Sequence, residues 1–323
     1  MKSVTILIPT FNAMVWFRES YQEFLAQDYS GVWDILIIDS GSTDETVKFL
    51  KDQPRTAVHC IPSEEFGHGK TRNLGASMAN GDLILMTVQD AKPRSADWIT
   101  RMVHALESNE LDGVCGKQAV PWDKNKNPLE WYRPIEEPIE DDLYDRTSIE
   151  NAKPQDKLRA CSWDNVNALY KKSSLLEQPF RDVRFGEDMF WALDVLNANG
   201  KIGYTNLSKV WHYHHNHPGF TRKRVFYSHY WRYKAFGFLP DQPTQWSMFS
   251  VLRTLKIMLW HTNIHSPKTI IKWLIYNERI TKESTKITKE FLTAVQSDES
   301  KLNTLYASFG TQSPMATPEK SNE

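Results

Sequence analysis

Short apolar runs recur through the first two hundred residues, each bounded by turn-forming positions. Residues 4–9, 33–39, 57–61, 83–88 and 114–120 are rich in Val, Ile and Leu and read as buried strands. Between them apolar residues fall at helical spacing. Residues 15–27 carry Phe17, Tyr21, Phe24 and Leu25; residues 44–50 follow a Ser/Thr N-cap; a further helix starts near Lys70; residues 96–106 carry Trp98, Ile99, Met102 and Leu106. Strands alternating with helices predict an α/β fold with a largely parallel, doubly wound sheet. Strand patterning returns over 160–170, with Asn165 and Asn167 on one face, and again over 201–206 and 209–213. Between these lies a helix opened by Glu187-Asp188 and closed by Asn199-Gly200. Residues 121–157 are rich in Pro, Asp, Glu and Lys and are expected to form a long loop with short helices over one face of the site.

Beyond Pro218 the pattern changes. Residues 220–238 are aromatic and basic, and Pro240 and Pro243 mark a break. Residues 246–260 and 268–280 predict two helices, with Leu, Ile, Met and Trp on one side and Arg253, Lys256, Lys268 and Lys272 on the other. Such helices suit an anionic membrane surface, although the same pattern serves packing on a domain. Residues 311–323 are polar and are expected to be disordered. The expected organisation is therefore an α/β domain over 1–217, a helical extension over 218–310 and a tail over 311–323.

Composition narrows the class. Of 323 residues, 40% are hydrophobic and 24% charged, which suits a soluble globular protein. A net charge of -1 argues against a protein that coats nucleic acid. The three cysteines form no CxxC pair and suggest a reducing compartment. Met1-Lys2-Ser3 leads straight into a strand, so no signal peptide is expected, and no apolar run approaches the roughly 20 residues that span a bilayer.

Four places carry candidate chemistry. Asp90 follows the run 83–88, at the carboxyl end of a strand, where open α/β sheets bind ligands and a carboxylate can hold a divalent cation against a diphosphate; such an Asp also simply opens turns. The loop 65–76 presents Lys70 and Arg72 at a helix start, which suits an anion, yet it has neither the GxxxxGK[ST] nor the GxGxxG spacing. Glu187-Asp188 offers paired carboxylates in a first helical turn, where acids also complement the dipole. His212 and His214 alternate on a strand and can face one metal, or belong to a solvated cluster.

Taken in order, residues 4–12, 37–46, 66–76, 85–93, 165–168, 185–191 and 210–214 resemble family 2 inverting glycosyltransferases of the GT-A fold, in particular bacterial rhamnosyltransferases of polysaccharide biosynthesis. The resemblance implies a Rossmann-like catalytic domain. It implies that Pro9, Thr10, Asn12, Asp39, Arg72, Gln89 and Asp90 bind the donor, with Thr10 and Asp39 at the base and ribose and Arg72 near the base or phosphates. Asp90 matches the last acid of the family's DxD motif; the triplet here is Val88-Gln89-Asp90, so the first acid is missing. Asp188 matches the catalytic base of the ED motif. Trp163, Asn165 and Glu187 are implied acceptor contacts, and Asp90 with His212 a site for Mg²⁺ or Mn²⁺, His214 being a second candidate. The implied donor is dTDP-L-rhamnose, the acceptor a glycan or lipid-linked glycan, and the location the cytoplasm, at the inner face of the cell membrane. Alternatives are a UDP- or GDP-sugar donor, or a non-catalytic sugar-nucleotide or lipid-binding module. A dinucleotide-dependent redox enzyme would need the glycine-rich turn that the first strand lacks.

Overall fold

The computed structural model describes residues 1–123, 125–131, 142–213, 218–243 and 245–310. His214 and the expected tail at 311–323 lie outside them. The strands are β1 (Val4–Thr10), β2 (Trp33–Asp39), β3 (Thr56–Cys60), β4 (Leu83–Met86), β5 (Lys92–Pro93), β6 (Gly113–Ala119), β7 (Asp142–Tyr144), β8 (Ala168–Lys171) and β9 (Ile202–Trp211). The helices are α1 (Met14–Leu25), α2 (Thr46–Lys51), α3 (His68–Met78), α4 (Trp98–Ser108), α5 (Pro128–Trp131), α6 (Pro154–Ala160), α7 (Lys172–Glu177), α8 (Glu187–Asn197), α9 (Pro218–Phe236), α10 (Met248–Lys256), α11 (Pro267–Ser297) and α12 (Glu299–Ser308). The chain forms two compact units, Met1–Pro121 with Glu136–Tyr213, and Trp122–Ile135 with His214–Glu323.

The first unit is built on one mixed sheet in the order β3-β2-β1-β4-β8-β6-β9-β5, with β7 also on β9. β1, β2, β3, β4, β6 and β9 point one way; β5, β7 and β8 run against them. Antiparallel β8 inserts between β4 and β6, which the alternation of strands and helices alone does not predict. β1 and β2 are buried on both faces, hence their unbroken apolar runs. Ile6, Ile8, Ile35, Ile37 and Leu85 share a core with Phe17 and Phe24 of α1 and Trp98 and Met102 of α4. The alternate residues Leu7, Leu36, Ile38, Ile84 and Met86 are buried too, on the opposite side.

Two expected strands are redrawn. Only Ala168–Lys171 of the stretch 160–170 is a strand. Pro154 starts α6 at a position that needs no N–H donor, and the Asp164 carboxylate accepts the Val166 N–H at 2.9 Å, closing an Asx turn instead. Conversely, 201–206 and 209–213 merge into β9. Its pairing with β6 shifts between Cys115 and Lys117, and this bulge absorbs Leu207 and Ser208, which separate the two runs.

The second unit has its own core. The aromatic residues of α9 turn inward. Phe226 stacks on Phe309 at 4.5 Å and lies 6.3 Å from Phe291, and Tyr230 meets Tyr306 at 4.5 Å. Burial of such rings outweighs the charge of their basic neighbours, which reach solvent along flexible stems. The segment before α5 joins this unit through Asn127 and Asn277, whose buried amides bond reciprocally at 2.9 and 3.1 Å.

Candidate active site

The carboxyl ends of β1, β2 and β4 come together as one polar rim. Thr10 and Asp39 are register partners on adjacent parallel strands, and Thr10 Oγ1 donates to Asp39 Oδ2 at 2.9 Å. Asp39 Oδ1 also accepts the N–H groups of Gly41 and Ser42 at 3.2 and 2.9 Å. Buried and bonded in this way, Asp39 holds the β2–α2 turn closed. Asn12 adopts a left-handed conformation, φ 50°, which Asn tolerates, and its Oδ1 accepts the Thr43 N–H at 2.9 Å. Gln89 clamps the loop after half-buried Pro9, accepting from Phe11 N at 2.8 Å and donating to Phe11 O at 3.1 Å. The sequence-predicted donor residues are thus neighbours, apart from Arg72.

Arg72 is bonded to another carboxylate, that of Glu187. Expected at the base or phosphates, it is buried in α3 and donates from Nη1 to Glu187 Oε1 and to His68 O, both at 3.0 Å. Their side chains are 7% and 8% exposed, so each offsets the other's desolvation. Of the expected basic pair at the α3 start, Arg72 is thus committed to Glu187, while Lys70 is exposed. Asn165 Nδ2 donates to the same Glu187 oxygen at 3.2 Å, and the Tyr170 hydroxyl donates to Asn165 Oδ1. The Trp163 indole N–H completes the line, donating to Tyr170 at 2.7 Å. Trp163, expected at the acceptor, is instead packed against Tyr170, Trp191 and Tyr204, with ring centroids at 5.9, 5.3 and 5.4 Å. Its ring and its one donor are both occupied inside the core, so its visible role is to support Asn165 and Glu187.

Asp188 follows Glu187 in the first turn of α8, where Gly186 at φ 79° makes a left-handed entry to the helix. Burial pushes the Asp188 pKa well above the usual carboxylate range, and the charge of Glu187 adds to the effect. The Met189 N–H, 2.7 Å from Asp188 Oδ1, and Arg72 pull the other way and do not cancel it. Burial, helped by Arg72, lowers the His68 pKa, so this imidazole is neutral at pH 7.

The strand pairing explains how Asp90 meets His212. Lys92 and Pro93 of β5 pair with Trp211 and Val210 of β9, and the His212 N–H donates to Ala119 O of β6 at 3.0 Å. His212 Nε2 then stands 3.5 Å from Asp90 Oδ1, both side chains under 10% exposed. One hard oxygen and one imidazole nitrogen at this spacing fit two adjacent ligands of Mg²⁺ or Mn²⁺. Among the described residues no group of three or more His, Cys, Asp and Glu gathers as a self-sufficient metal site.

Two residues that sequence reasoning missed connect the ends of this cluster. Gln118 Oε1 accepts from His212 Nδ1 at 2.7 Å in the Nδ1–H tautomer, and the Gln118 side chain also bonds Asp164. That tautomer turns the Nε2 lone pair towards Asp90. Burial raises the Asp164 pKa, against the bonds from Gln118 and Val166. Asp164 in turn raises the pKa of Asp188. The only signal in the sequence was a carboxylate beside Asn165, which reads equally as a turn residue.

The family model described as "Glycosyl transferase family 2" matches residues 5–175. The O-antigen chain rhamnosyltransferase RfbN of Salmonella typhimurium is 31% identical over 231 residues, 69% of this chain and 70% of RfbN. WbaN of Salmonella anatum, also an O-antigen chain rhamnosyltransferase, is 28% identical over 70% of this chain and 71% of its own. Among solved structures, S. aureus TarS 1-349 superposes with a TM-score of 0.53 at 11% identity, covering 90% of this chain and 91% of TarS 1-349. The mannosyltransferase PcManGT of Pyrobaculum calidifontis, in complex with GDP-Man and Mn²⁺, gives 0.51 at 14% identity over 95% of this chain and 79% of its own. These likenesses show the GT-A fold, with the C-terminal helices added. The sequence matches go further, and on them this chain belongs to glycosyl transferase family 2.

Proposed function

We propose that this protein is an inverting, metal-dependent glycosyltransferase that moves L-rhamnose from dTDP-rhamnose to a hydroxyl of a glycan or lipid-linked glycan, at the inner face of the cell membrane. The observation that carries the reading is the pair Asp90–His212, 3.5 Å apart with both side chains nearly buried, joined through the Gln118 side chain to Asp164, whose carboxylate bears on the buried Asp188. The rhamnosyltransferases RfbN and WbaN support the sugar, and TarS with UDP-GlcNAc and PcManGT with GDP-Man support a nucleotide-diphosphate donor.

In this reading Asp188 takes the proton of the acceptor hydroxyl as the new C–O bond forms. The bond from the anomeric carbon to the diphosphate oxygen breaks, and its electron pair leaves with the nucleotide. An oxocarbenium-like state is passed on the way, and attack opposite the leaving group inverts the centre. The raised pKa of Asp188 suits this task, since a stronger base matches a poorly acidic hydroxyl more closely. Asp90 and His212 would hold Mg²⁺ or Mn²⁺, which neutralises charge on the departing diphosphate. Thr10, Asn12, Asp39 and Gln89 fix the rim on which the nucleotide would rest. Glu187 and Asn165, held by Arg72 and Tyr170, orient Asp188 and the acceptor.

Asp188→Asn should lower kcat by roughly 10²–10⁴ while the donor Kd, measured by calorimetry, changes little. Transfer at near wild-type rate by this variant would put the base elsewhere. A screen of dTDP-, UDP- and GDP-sugars with and without Mn²⁺ identifies the donor, and full activity in excess EDTA would remove the metal from the reading.

A further inference from the structure

The second unit carries an apolar face that its own core does not use. The outward side chains of α10 and of the π-helical turn Ile257–His261 are large and apolar: Met248, Phe249, Leu252 and Trp260 are 74%, 77%, 57% and 73% exposed. At helical spacing they form one stripe, with Arg253 and Lys256 along its edge. The next helix adds Ile271 and Ile275, 57% and 44% exposed, beside exposed Lys268 and Lys272. The inward side has its own apolar set, in which Met258, Ile264 and Trp273 are buried and Leu255, Ile270 and Leu274 pack on them. The outer stripe is therefore additional to the core, and an exposed apolar surface of this kind marks an interaction site.

Charge selects the partner. Residues 242–277 contain no Asp or Glu, while they carry Arg253, Lys256, Lys268 and Lys272. Among the described residues Arg253, Lys256 and Lys268 take part in no ion pair. A protein interface of ordinary composition would balance such charge with acids, whereas an apolar stripe flanked by Arg253, Lys256, Lys268 and Lys272 matches the boundary of an anionic bilayer. Trp260 at the end of the stripe suits the headgroup level, where an indole has both an apolar and a polar contact. No helix among the described residues is long and apolar enough to cross a membrane, so the contact lies in the plane of the surface.

We infer that α10, the π-helical turn after it and the first turns of α11 dock this protein onto an anionic lipid surface. Phe249, Leu252 and Trp260 enter the acyl boundary, and Arg253, Lys256, Lys268 and Lys272 meet lipid phosphates. This deepens the membrane location proposed above, but vesicle binding needs neither donor nor turnover, so the two readings can fail separately.

The test is flotation of the full chain with vesicles of phosphatidylcholine containing phosphatidylglycerol, against pure phosphatidylcholine. The anionic vesicles should be bound, more weakly as salt rises. Each basic residue near such a surface strengthens binding by roughly fivefold, so R253E/K256E should bind at least about 25-fold more weakly. Burying a Leu-sized side chain changes an equilibrium by about tenfold or more, so F249S/L252S/W260S should lose binding to both kinds of vesicle by at least about 100-fold. These residues are exposed, so the thermal melt of both variants should match that of the wild type, and K51E, on the first unit, should bind as the wild type does. Three results would overturn the proposal: no binding to anionic vesicles at low salt, equal binding by all variants, or a concentration-dependent dimer abolished by F249S/L252S/W260S without any vesicle binding.

Discussion

Asp188 is held in conflict with its own charge. Its folded pKa lies well above that of an exposed carboxylate because burial and Glu187 disfavour the anion. Two measurable consequences follow from the sign of that shift. As a base Asp188 works only when deprotonated, so the acidic limb of the kcat–pH profile should fall well above pH 4 and vanish in Asp188→Asn. The second consequence concerns stability. Between the unfolded and folded pKa values the folded state binds more protons than the unfolded, so stability is lost as pH rises through the folded pKa. Asp188→Asn, which cannot ionise, should therefore raise Tm at neutral pH relative to wild type while lowering kcat. An unchanged or lowered Tm would mean that the anion is better solvated in the fold than its burial implies. Such a trade of stability for function is common at active sites.

At the scale of elements, the site depends on how β6 meets β9. The two strands pair in register up to Cys115 and again from Lys117, with Gly116 between. A Cβ on Gly116 would lie 2.3 Å from Asn167 Nδ2 and 2.8 Å from the Ser208 carbonyl oxygen. That Asn167 amide donates to the carbonyls of Lys117 and Ser208, and its Oδ1 accepts the Trp98 indole N–H at 2.8 Å. Asn167 thus locks the bulge that aims Gln118 and His212. Gly116→Ala should destabilise the protein by about 1–3 kcal/mol, as overpacking does, read from urea unfolding. It should also weaken Mn²⁺ binding in the presence of a nucleoside diphosphate, because His212 loses its placement. Wild-type stability in this variant would show that the strands can part at the bulge without cost.

At the scale of the whole molecule, the second unit, which has a core of its own, carries a group sensitive to mild acid. His229 of α9 is half-buried and bonded to Thr288 of α11 at 3.0 Å, and burial, with Arg232, lowers its pKa to about 4. In the unfolded chain the imidazole titrates near its ordinary 6.5. Between these values the unfolded state binds the extra proton, so stability is lost as pH falls from about 6.5 towards 4. The second unit should therefore loosen in this window, seen as rising amide exchange in α9 and α11, and His229→Gln should flatten the dependence. Equal acid sensitivity in that variant would assign the effect to other groups.

The sequence by itself determined what depends on local pattern. Unbroken apolar runs specify β1, β2 and β4 because strands covered on both faces need apolar residues at every position. Glu187-Asp188 at a helix start and Asp90 past a strand end were legible for the same reason, since both are local features of one element. Only the tertiary structure decided which of these groups meet. Arg72 lies 115 positions from Glu187 and Gln118 lies 94 from His212. No periodicity links them, because strand order and register, not spacing along the chain, bring them into contact. Burial decided the rest. Trp163 and the aromatic residues of α9 look the same in sequence as a sugar platform or a membrane face, and only their packing partners show that they are core. Met248, Phe249, Leu252 and Trp260 carry the same chemistry with no such partners inside the fold, and that difference separates a core face from a docking face.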